Sequence, residues 1–353
     1  MTAPTKTPTL TPTLTPVPTS ANASRRRCVL LAAQASTALA LLAGATSSLP
    51  VRAETYPTRP IRVVVPESAG SIADAWARRL TRPMEQMLGQ PMRVENRPGA
   101  SGTLGAEAVA RAAPDGYTLL YTGQSPVVTY PAIGGAVRYD PQRDFTPVAI
   151  GPNAFPVLVA GAASGLRSFQ DLRARAASGP PLSCGTGGHG SYGHFACAML
   201  AQALGVDLLM VPYKGSSAAL QEAAGGQLTL TTGFPSELMG LIAAERILPL
   251  AAFAPRRAVP LPAVPTVGEL GLAGLELFAF AGFYAPAGTP AAIVERLNAA
   301  AARAMQTPEY VKLVEDAGGR VQAMSSADFA QMNTEDRERW RRRGQELGIR
   351  PQE

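Results

Sequence analysis

The chain has 353 residues, of which 46% are hydrophobic, so it is long enough for two α/β halves that each bury a core. Of its formal net charge of +6, five positive charges lie in residues 1–53, which contain no acidic residue. The remainder therefore carries only +1. This near-neutral balance argues against a nucleic-acid-binding protein.

Residues 1–53 predict an export signal that precedes the folded protein. A disordered Thr/Pro-rich start, residues 1–24, is followed by the basic cluster Arg25–Arg27 and an Ala/Leu-rich run at Cys28–Leu49. Cleavage is expected near Ala53, which gives a periplasmic location. A retained membrane anchor is the alternative, although the many Ala, Ser and Thr residues make the run weakly hydrophobic. Sec and twin-arginine export both stay open.

Beyond residue 53, short apolar runs alternate with longer amphipathic segments, which is the pattern of βαβ units. We predict strands at 61–65, 92–95, 117–121, 154–160, 181–184, 208–212, 228–232, 248–253 and 278–285. We predict helices at 72–88, 103–113, 168–177, 194–204, 216–224, 235–244, 290–306, 308–317 and 327–347.

Three strand–loop–helix junctions are rich in Gly, Ser and Thr: Pro66–Asp74, Thr122–Val127 and Cys184–His194. In parallel α/β sheets ligands bind beyond the carboxyl ends of strands, where helix N-termini offer free N–H groups. The three junctions contain neither Lys nor Arg, so we expect an anion to be held there by backbone amides and hydroxyls. The alternative is that they are ordinary tight turns.

Catalytic and cofactor motifs are poorly matched. The segment Gly185-x-Gly187-x-x-Gly190 fits a dinucleotide fingerprint formally, but the acidic residue that should end the next strand is missing, since Asp207 begins that strand. The sequence contains no Gly-x-Ser-x-Gly elbow and no Walker A motif. We therefore predict a protein that is not an enzyme and has no cofactor.

Cys184, His189, His194 and Cys197 lie within 14 residues and offer a possible zinc site. Their spacing matches no common zinc finger. A disulfide between Cys184 and Cys197 is the other interpretation and is favoured over zinc, provided that the two Cα atoms come close enough. Whether the cysteines pair is left open by the sequence.

From Tyr56 to the C-terminus the chain resembles the periplasmic substrate-binding proteins of tripartite tricarboxylate transporters, the Bug family. An ordered set of motifs carries this resemblance: Tyr56-Pro57-x-Arg59-Pro60-Ile61, Glu95-Asn96-Arg97-Pro98-Gly99-Ala100-Ser101-Gly102, Pro114-Asp115-Gly116-Tyr117, Val211-Pro212-Tyr213-Lys214-Gly215 and Ala285-Pro286-Ala287-Gly288-Thr289-Pro290. Each motif is weak by itself, whereas the set in this order is specific.

The resemblance implies a two-lobed periplasmic-binding-protein fold, each lobe a mainly parallel sheet flanked by helices, with a hinged cleft between the lobes. Residues 54–155 plus 280–353 would form lobe 1, and residues 156–279 lobe 2. The implied function is the capture of a small organic anion, in this family mostly a carboxylate, and its delivery to membrane permease subunits. We expect a monomer. A receptor for a two-component sensor, or an enzyme on this scaffold, would be the alternatives.

The resemblance also implies which residues line the cleft. The expected ligand-binding residues are Ser68, Ala69, Gly70, Ser71, Asp74, Thr122, Gly123, Ser125, Thr186, Gly187 and Ser191. For Asp74, orientation of the first loop is the favoured role. No metal site is expected.

Two positions depart from the family pattern. Glu67 stands where the family usually has an aromatic residue, and the Asp that the family tends to carry after the strand at 228–232 is missing from Thr231-Thr232-Gly233-Phe234. A carboxylate that faces the cleft would repel an anion, so either Glu67 points away or the ligand is not a simple anion.

Overall fold

The fold is given by a computed structural model, which describes residues 56–350; the predicted export segment lies outside them. The strands are β1 (Ile61–Val65), β2 (Met92–Asn96), β3 (Thr118–Gly123), β4 (Phe145–Ala154), β5 (Val157–Gly161), β6 (Leu182–Thr186), β7 (Leu208–Pro212), β8 (Leu230–Gly233), β9 (Ile247–Ala252) and β10 (Ala279–Pro286). The helices are α1 (Ile72–Leu88), α2 (Thr103–Ala110), α3 (Phe169–Ser178), α4 (Tyr192–Leu204), α5 (Ser216–Ala224), α6 (Pro235–Ala243), α7 (Ala291–Met305), α8 (Pro308–Asp316) and α9 (Ser326–Glu346).

The strands form two five-stranded sheets with equivalent topology. The first has the order β2-β1-β3-β10-β4 and the second the order β7-β6-β8-β5-β9. In the first sheet only β10 runs against its neighbours, and in the second only β5 does. Four of the five strands in each sheet therefore share one direction, which confirms the expected mainly parallel sheets flanked by helices.

Helix α1 shows why the local sequence specifies these elements. Ser71 caps its N-terminus by accepting a hydrogen bond from the Asp74 amide, and Gly89 ends it in the left-handed conformation at φ 72°. Its buried apolar side chains recur at helical spacing and pack on the first sheet: Ala73, Trp76, Ala77, Leu80, Met84 and Leu88. The predicted bounds of this helix match the observed ones.

Two predictions of secondary structure were wrong. The strand predicted at 154–160 covers most of β5, but its first residue, Ala154, ends β4, a strand of ten residues that the sequence did not predict. The loop predicted after β3 is helical over Ser125–Thr129 and Tyr130–Ala132. In both places proline residues and β-branched residues weakened the periodicity from which elements are inferred.

The chain crosses between the sheets twice, directly after β4 and again between β9 and β10. The C-terminal helix α9 also contacts both halves. It packs on β4 of the first sheet, and its Trp340 ring lies 4.4 Å from Phe195 of α4 in the second half. Among residues 56–350, no helix is long and apolar enough to cross a membrane.

Candidate functional site

The three predicted loops all follow strands whose carboxyl ends point to one edge of their sheet. The first connects β1 to α1, the second leads from β3 into the helical segment 125–132, and the third connects β6 to α4. Within them Ser71 and Ser191 are the N-caps of α1 and α4, and Thr122 and Thr186 are buried at the strand ends. Ser68, Ala69 and Gly70 are exposed.

The first loop is held by the buried carboxylate of Asp74. One oxygen accepts a hydrogen bond from the Gly70 amide at 2.9 Å, and the other accepts from Arg78 at 2.9 Å and Asn96 at 3.0 Å. Burial alone would raise the pKa of Asp74, but the hydrogen bonds from Arg78, Gly70 and Asn96 outweigh it and lower this pKa. Asp74 therefore stays ionised and orients the loop. Both of its carboxylate oxygens accept hydrogen bonds from other residues of the protein.

The second and third loops meet at Ser101, a residue of the Glu95–Gly102 motif. Ser125 donates a hydrogen bond to the Ser101 carbonyl at 3.3 Å, and a β-carbon placed on Gly188 would lie 3.5 Å from the Ser101 hydroxyl. Ser101 has a left-handed backbone with φ 54°, which costs a non-glycine residue conformational energy. Sequence reasoning used this motif for family assignment and overlooked its place between the loops.

Glu67 faces the second loop. A β-carbon on Gly123 would lie 3.9 Å from the Glu67 carboxylate, so the side chain occupies the space between the first two loops. Burial raises the pKa of Glu67 to about 7; the negative charges of Glu237 and Asp74 add to the rise, and a hydrogen bond from Ser71 offsets part of it. Of the two alternatives left by the sequence, the geometry excludes a Glu67 that points away from these loops.

Glu237, in the first turn of α6, is a second acidic residue near Glu67, and sequence reasoning missed it. Its carboxylate accepts hydrogen bonds from the Phe234 amide at 3.0 Å and from the Ser216 hydroxyl at 3.1 Å. Burial raises its pKa, and these hydrogen bonds reduce the effect. The available signal was an acidic residue two positions after Pro235, at the place where a carboxylate caps a helix.

The third loop lies against two helix N-termini. Ser191 caps α4, and a β-carbon on Gly187 would lie 3.1 Å from the amide nitrogen of Ser216, the first residue of α5. The first turns of α4 and α5 contain no acidic residue. The exposed Lys214 precedes α5 by two positions. The two helix N-termini therefore give this part of the site a partial positive charge, although the Glu237 carboxyl group bonded to Ser216 lies beside the start of α5.

The histidine and cysteine cluster has structural contacts. Cys184 and Cys197 form a disulfide with a Cα–Cα distance of 6.5 Å, which uses both thiols that a zinc site would need. The imidazole of His194 accepts a hydrogen bond from the Gly190 amide at 3.1 Å. Burial lowers the pKa of His194 to about 4, helped by His189, so the ring is neutral near pH 7 and supports the third loop.

The dinucleotide interpretation gains no support from the geometry. Asp207 immediately precedes β7, whereas the fingerprint requires an acidic residue at the far end of that strand. Two cavities of 140 and 310 Å³ lie elsewhere: one under α9, lined by Phe145, Tyr284 and Arg337, the other between α4 and β7. No predicted ligand-binding residue lines either of them.

Comparison with known proteins identifies relatives over most of the chain. The model of the family described as "Tripartite tricarboxylate transporter family receptor" matches residues 76–349. A protein of Pseudomonas sp. (strain P51), described as the UPF0065 protein in the tcbD-tcbE intergenic region, is 35% identical over 330 residues, which cover 92% of this chain and 95% of the relative.

Two solved structures of proteins with a bound small molecule are also similar to this chain. Rpa4515 of R. palustris, solved with adipate, shares 30% identity and a TM-score of 0.80 over 84% of this chain and 100% of that chain. MatC of Rhodopseudomonas palustris, solved with bound malate, shares 33% identity and a TM-score of 0.76 over 82% of this chain and 99% of that chain. Both bound molecules are dicarboxylates.

Proposed function

The chain belongs to the tripartite tricarboxylate transporter family of receptors, and we propose from this premise that it binds one small organic carboxylate between its two sheets. The observation that supports this ligand class best is the electropositive third loop, where the N-termini of α4 and α5 converge without an acidic residue in either first turn. The bound malate and adipate of the similar structures agree with a carboxylate ligand.

The proposed ligand contacts are the residues predicted from the sequence. The loops around Ser71, Ser125 and Ser191 supply amides and hydroxyls, and Asp74 contributes indirectly by holding the first loop. The proposed lobes are residues 54–155 with 280–353, and residues 156–279. Closure of one lobe on the other would be favoured by the ligand to the extent that it binds the closed form more tightly.

The proposed physiological role is transport without chemical conversion of the ligand. The protein would be exported, cleaved near Ala53, and act as a periplasmic monomer that delivers its ligand to permease subunits. Burial and the neighbouring His189 lower the pKa of His194, so its ring is neutral near pH 7, and the hydrogen bond that it accepts from the Gly190 amide supports the third loop. Incubation with the bound ligand should therefore return it unchanged.

A thermal-shift screen tests the ligand class. Organic carboxylates and their neutral amides are each added to the purified protein, and the unfolding temperature is measured. A carboxylate at one hundred times its dissociation constant should raise the free energy of unfolding by about 2.7 kcal/mol, while its amide should have little effect. Stabilisation by neutral or purely cationic compounds alone would contradict the proposal.

A further inference from the structure

Two carboxylates that are not paired with a basic side chain lie at the proposed site. Glu67 comes from the end of β1 in the first half, and Glu237 comes from α6 in the second half. Phe234, which precedes α6, packs against the core of the first half, and the negative charge of Glu237 contributes to the raised pKa of Glu67. Among the residues that the structure describes, neither forms a salt bridge, whereas Asp74 is neutralised by Arg78 at 2.9 Å.

The electropositive part of the site lies directly beside this acidic pair. Ser216 connects the two, because its hydroxyl is bonded to Glu237 at 3.1 Å while its amide lies beside Gly187 of the third loop. A ligand placed here meets the N-termini of α4 and α5 on one side and the two glutamates on the other. The charge distribution of the site is therefore asymmetric. One side favours a negatively charged group of the ligand, and the other side favours a positively charged group.

A further observation, separate from the acidic pair, concerns Thr122 at the end of β3. Thr122 is fully buried, and its hydroxyl has no hydrogen-bond partner among the described residues. A buried hydroxyl without a partner costs free energy, which a ligand that bonds to it would recover. Thr122 directly precedes Gly123, against which the Glu67 carboxylate packs.

We propose that Glu67 and Glu237 make this site selective for a zwitterionic ligand, in which a carboxylate bound at the third loop is accompanied by an ammonium group bound between the two glutamates. This inference rests on the proposed carboxylate-binding function and narrows its ligand class. A plain dicarboxylate would bring a second negative charge to the glutamates and be repelled. An ammonium group in the same place can donate to both glutamates, with a charge-assisted hydrogen bond to each one that is ionised.

The selectivity should depend on pH, because it depends on the ionisation of Glu67. The titratable groups that face Glu67 are Asp74 on α1, Glu237 on α6 and Tyr121 on β3, and Arg78 neutralises the first of these. Ammonium binding requires ionised Glu67. Because the pKa of Glu67 is about 7 in the free protein, the ionised fraction and the affinity for an amino acid should rise about tenfold between pH 6 and pH 8.

The test compares ligands that differ only in an amino group. Suitable pairs are aspartate with succinate, glutamate with glutarate, β-alanine with propionate and γ-aminobutyrate with butyrate. Titration calorimetry at pH 6, 7 and 8 measures the dissociation constants for the wild-type protein and Glu67→Gln. The exposed Glu335 on α9 supplies the matched control, Glu335→Gln, which removes the same charge away from the site.

In the wild-type protein the amino member of the tightest pair should bind at least tenfold more tightly at pH 8, with an affinity that falls towards pH 6. Glu67→Gln should remove the pH dependence and most of the preference, and Glu335→Gln should keep both. The inference is overturned if the member without the amino group binds more tightly, or if affinity falls as the pH rises. If no amino member binds while another carboxylate of the thermal-shift screen does, the inference fails and the carboxylate function stands; if no carboxylate of either set binds, both fail.

Discussion

Asp74 is a residue whose role follows from its contacts. Its carboxylate joins the Gly70 amide, Arg78 and Asn96, which come from three separate places along the chain. A buried donor that loses its acceptor lowers the free energy of unfolding by about 1–3 kcal/mol, because it remains shielded from water without a hydrogen bond in return. The residue therefore contributes to both the stability and the shape of the first loop.

We expect Asp74→Asn to lower the free energy of unfolding by about 1–3 kcal/mol near neutral pH and to weaken ligand binding. The pKa of Asp74 is lowered by folding, so its stabilising effect is present above the pKa of the unfolded chain and is lost as the pH falls through the folded value. Denaturant unfolding at pH 7 and at pH 3 should therefore show a smaller difference from wild type at the lower pH.

Asp171→Asn is the matched control for this prediction. Asp171 occupies the same position of a Ser-capped helix and accepts a hydrogen bond from the Arg167 amide at 2.8 Å, but it is exposed. Its replacement should cost less than about 1 kcal/mol. Equal losses for the two variants would contradict the orienting role of Asp74.

At this scale the sequence predicted loops but not the acidic pair. Motif and loop composition predicted the junctions Pro66–Asp74, Thr122–Val127 and Cys184–His194, since strand ends and caps are encoded locally. Glu237 escaped prediction because its proximity to Glu67 depends on how the two sheets face each other. That relation joins residues 170 positions apart and leaves no local pattern.

The elements around the site pack with little spare space, and α2 shows this most clearly. A β-carbon on Gly105 would lie 2.7 Å from Pro66 and 2.8 Å from the Arg97 carbonyl, so α2 touches the end of β1 through a bare backbone. By contrast, a β-carbon on Gly240 of α6 would meet no atom within 4 Å. Both glycines lie in helices, so replacement by alanine changes helix propensity similarly at the two positions. A difference in stability between the two variants therefore reports the difference in packing.

Gly105→Ala should therefore lower the free energy of unfolding by about 1–3 kcal/mol, because the added methyl group must displace backbone. Gly240→Ala should raise it by about 0.5–1 kcal/mol, since alanine reduces the entropy of the unfolded chain. Thermal unfolding of both variants measures the difference. A Gly105→Ala protein as stable as the Gly240→Ala protein would refute the close packing of α2 on β1.

Elements were predictable where periodicity and caps agree. Helix α1 has both, whereas β4 contains Pro147, Gly151 and Pro152 and lacks the alternation of a typical strand. This strand forms because it pairs with β10, which lies more than 120 positions further along the chain. Tertiary pairing thus overrides a local sequence that favours a loop.

At the scale of the molecule, α9 connects the two halves. The sequence predicted a helix at 327–347, and the structure adds that Trp340 is buried against Phe195 and Tyr192 of α4. The contact could not be read from the sequence, because a helical pattern shows which face is apolar but not what covers it.

Trp340→Ala should lower the free energy of unfolding by about 3–5 kcal/mol, as expected when a large buried aromatic ring is removed. Trp340→Phe keeps a ring in place and should cost clearly less. Denaturant titration followed by circular dichroism measures both. If Trp340→Ala unfolds like the wild-type protein, α9 does not hold the halves together through this contact.

The central claim is that loops of both sheets share one carboxylate ligand. A crystal structure of the protein with the tightest-binding carboxylate tests it most directly. The account predicts that the ligand lies between the sheets, with its carboxylate accepting hydrogen bonds from amides near Gly187 and Ser191 and another group within reach of Glu67. A ligand bound to one sheet alone, away from Ser71 and Gly123, would contradict it.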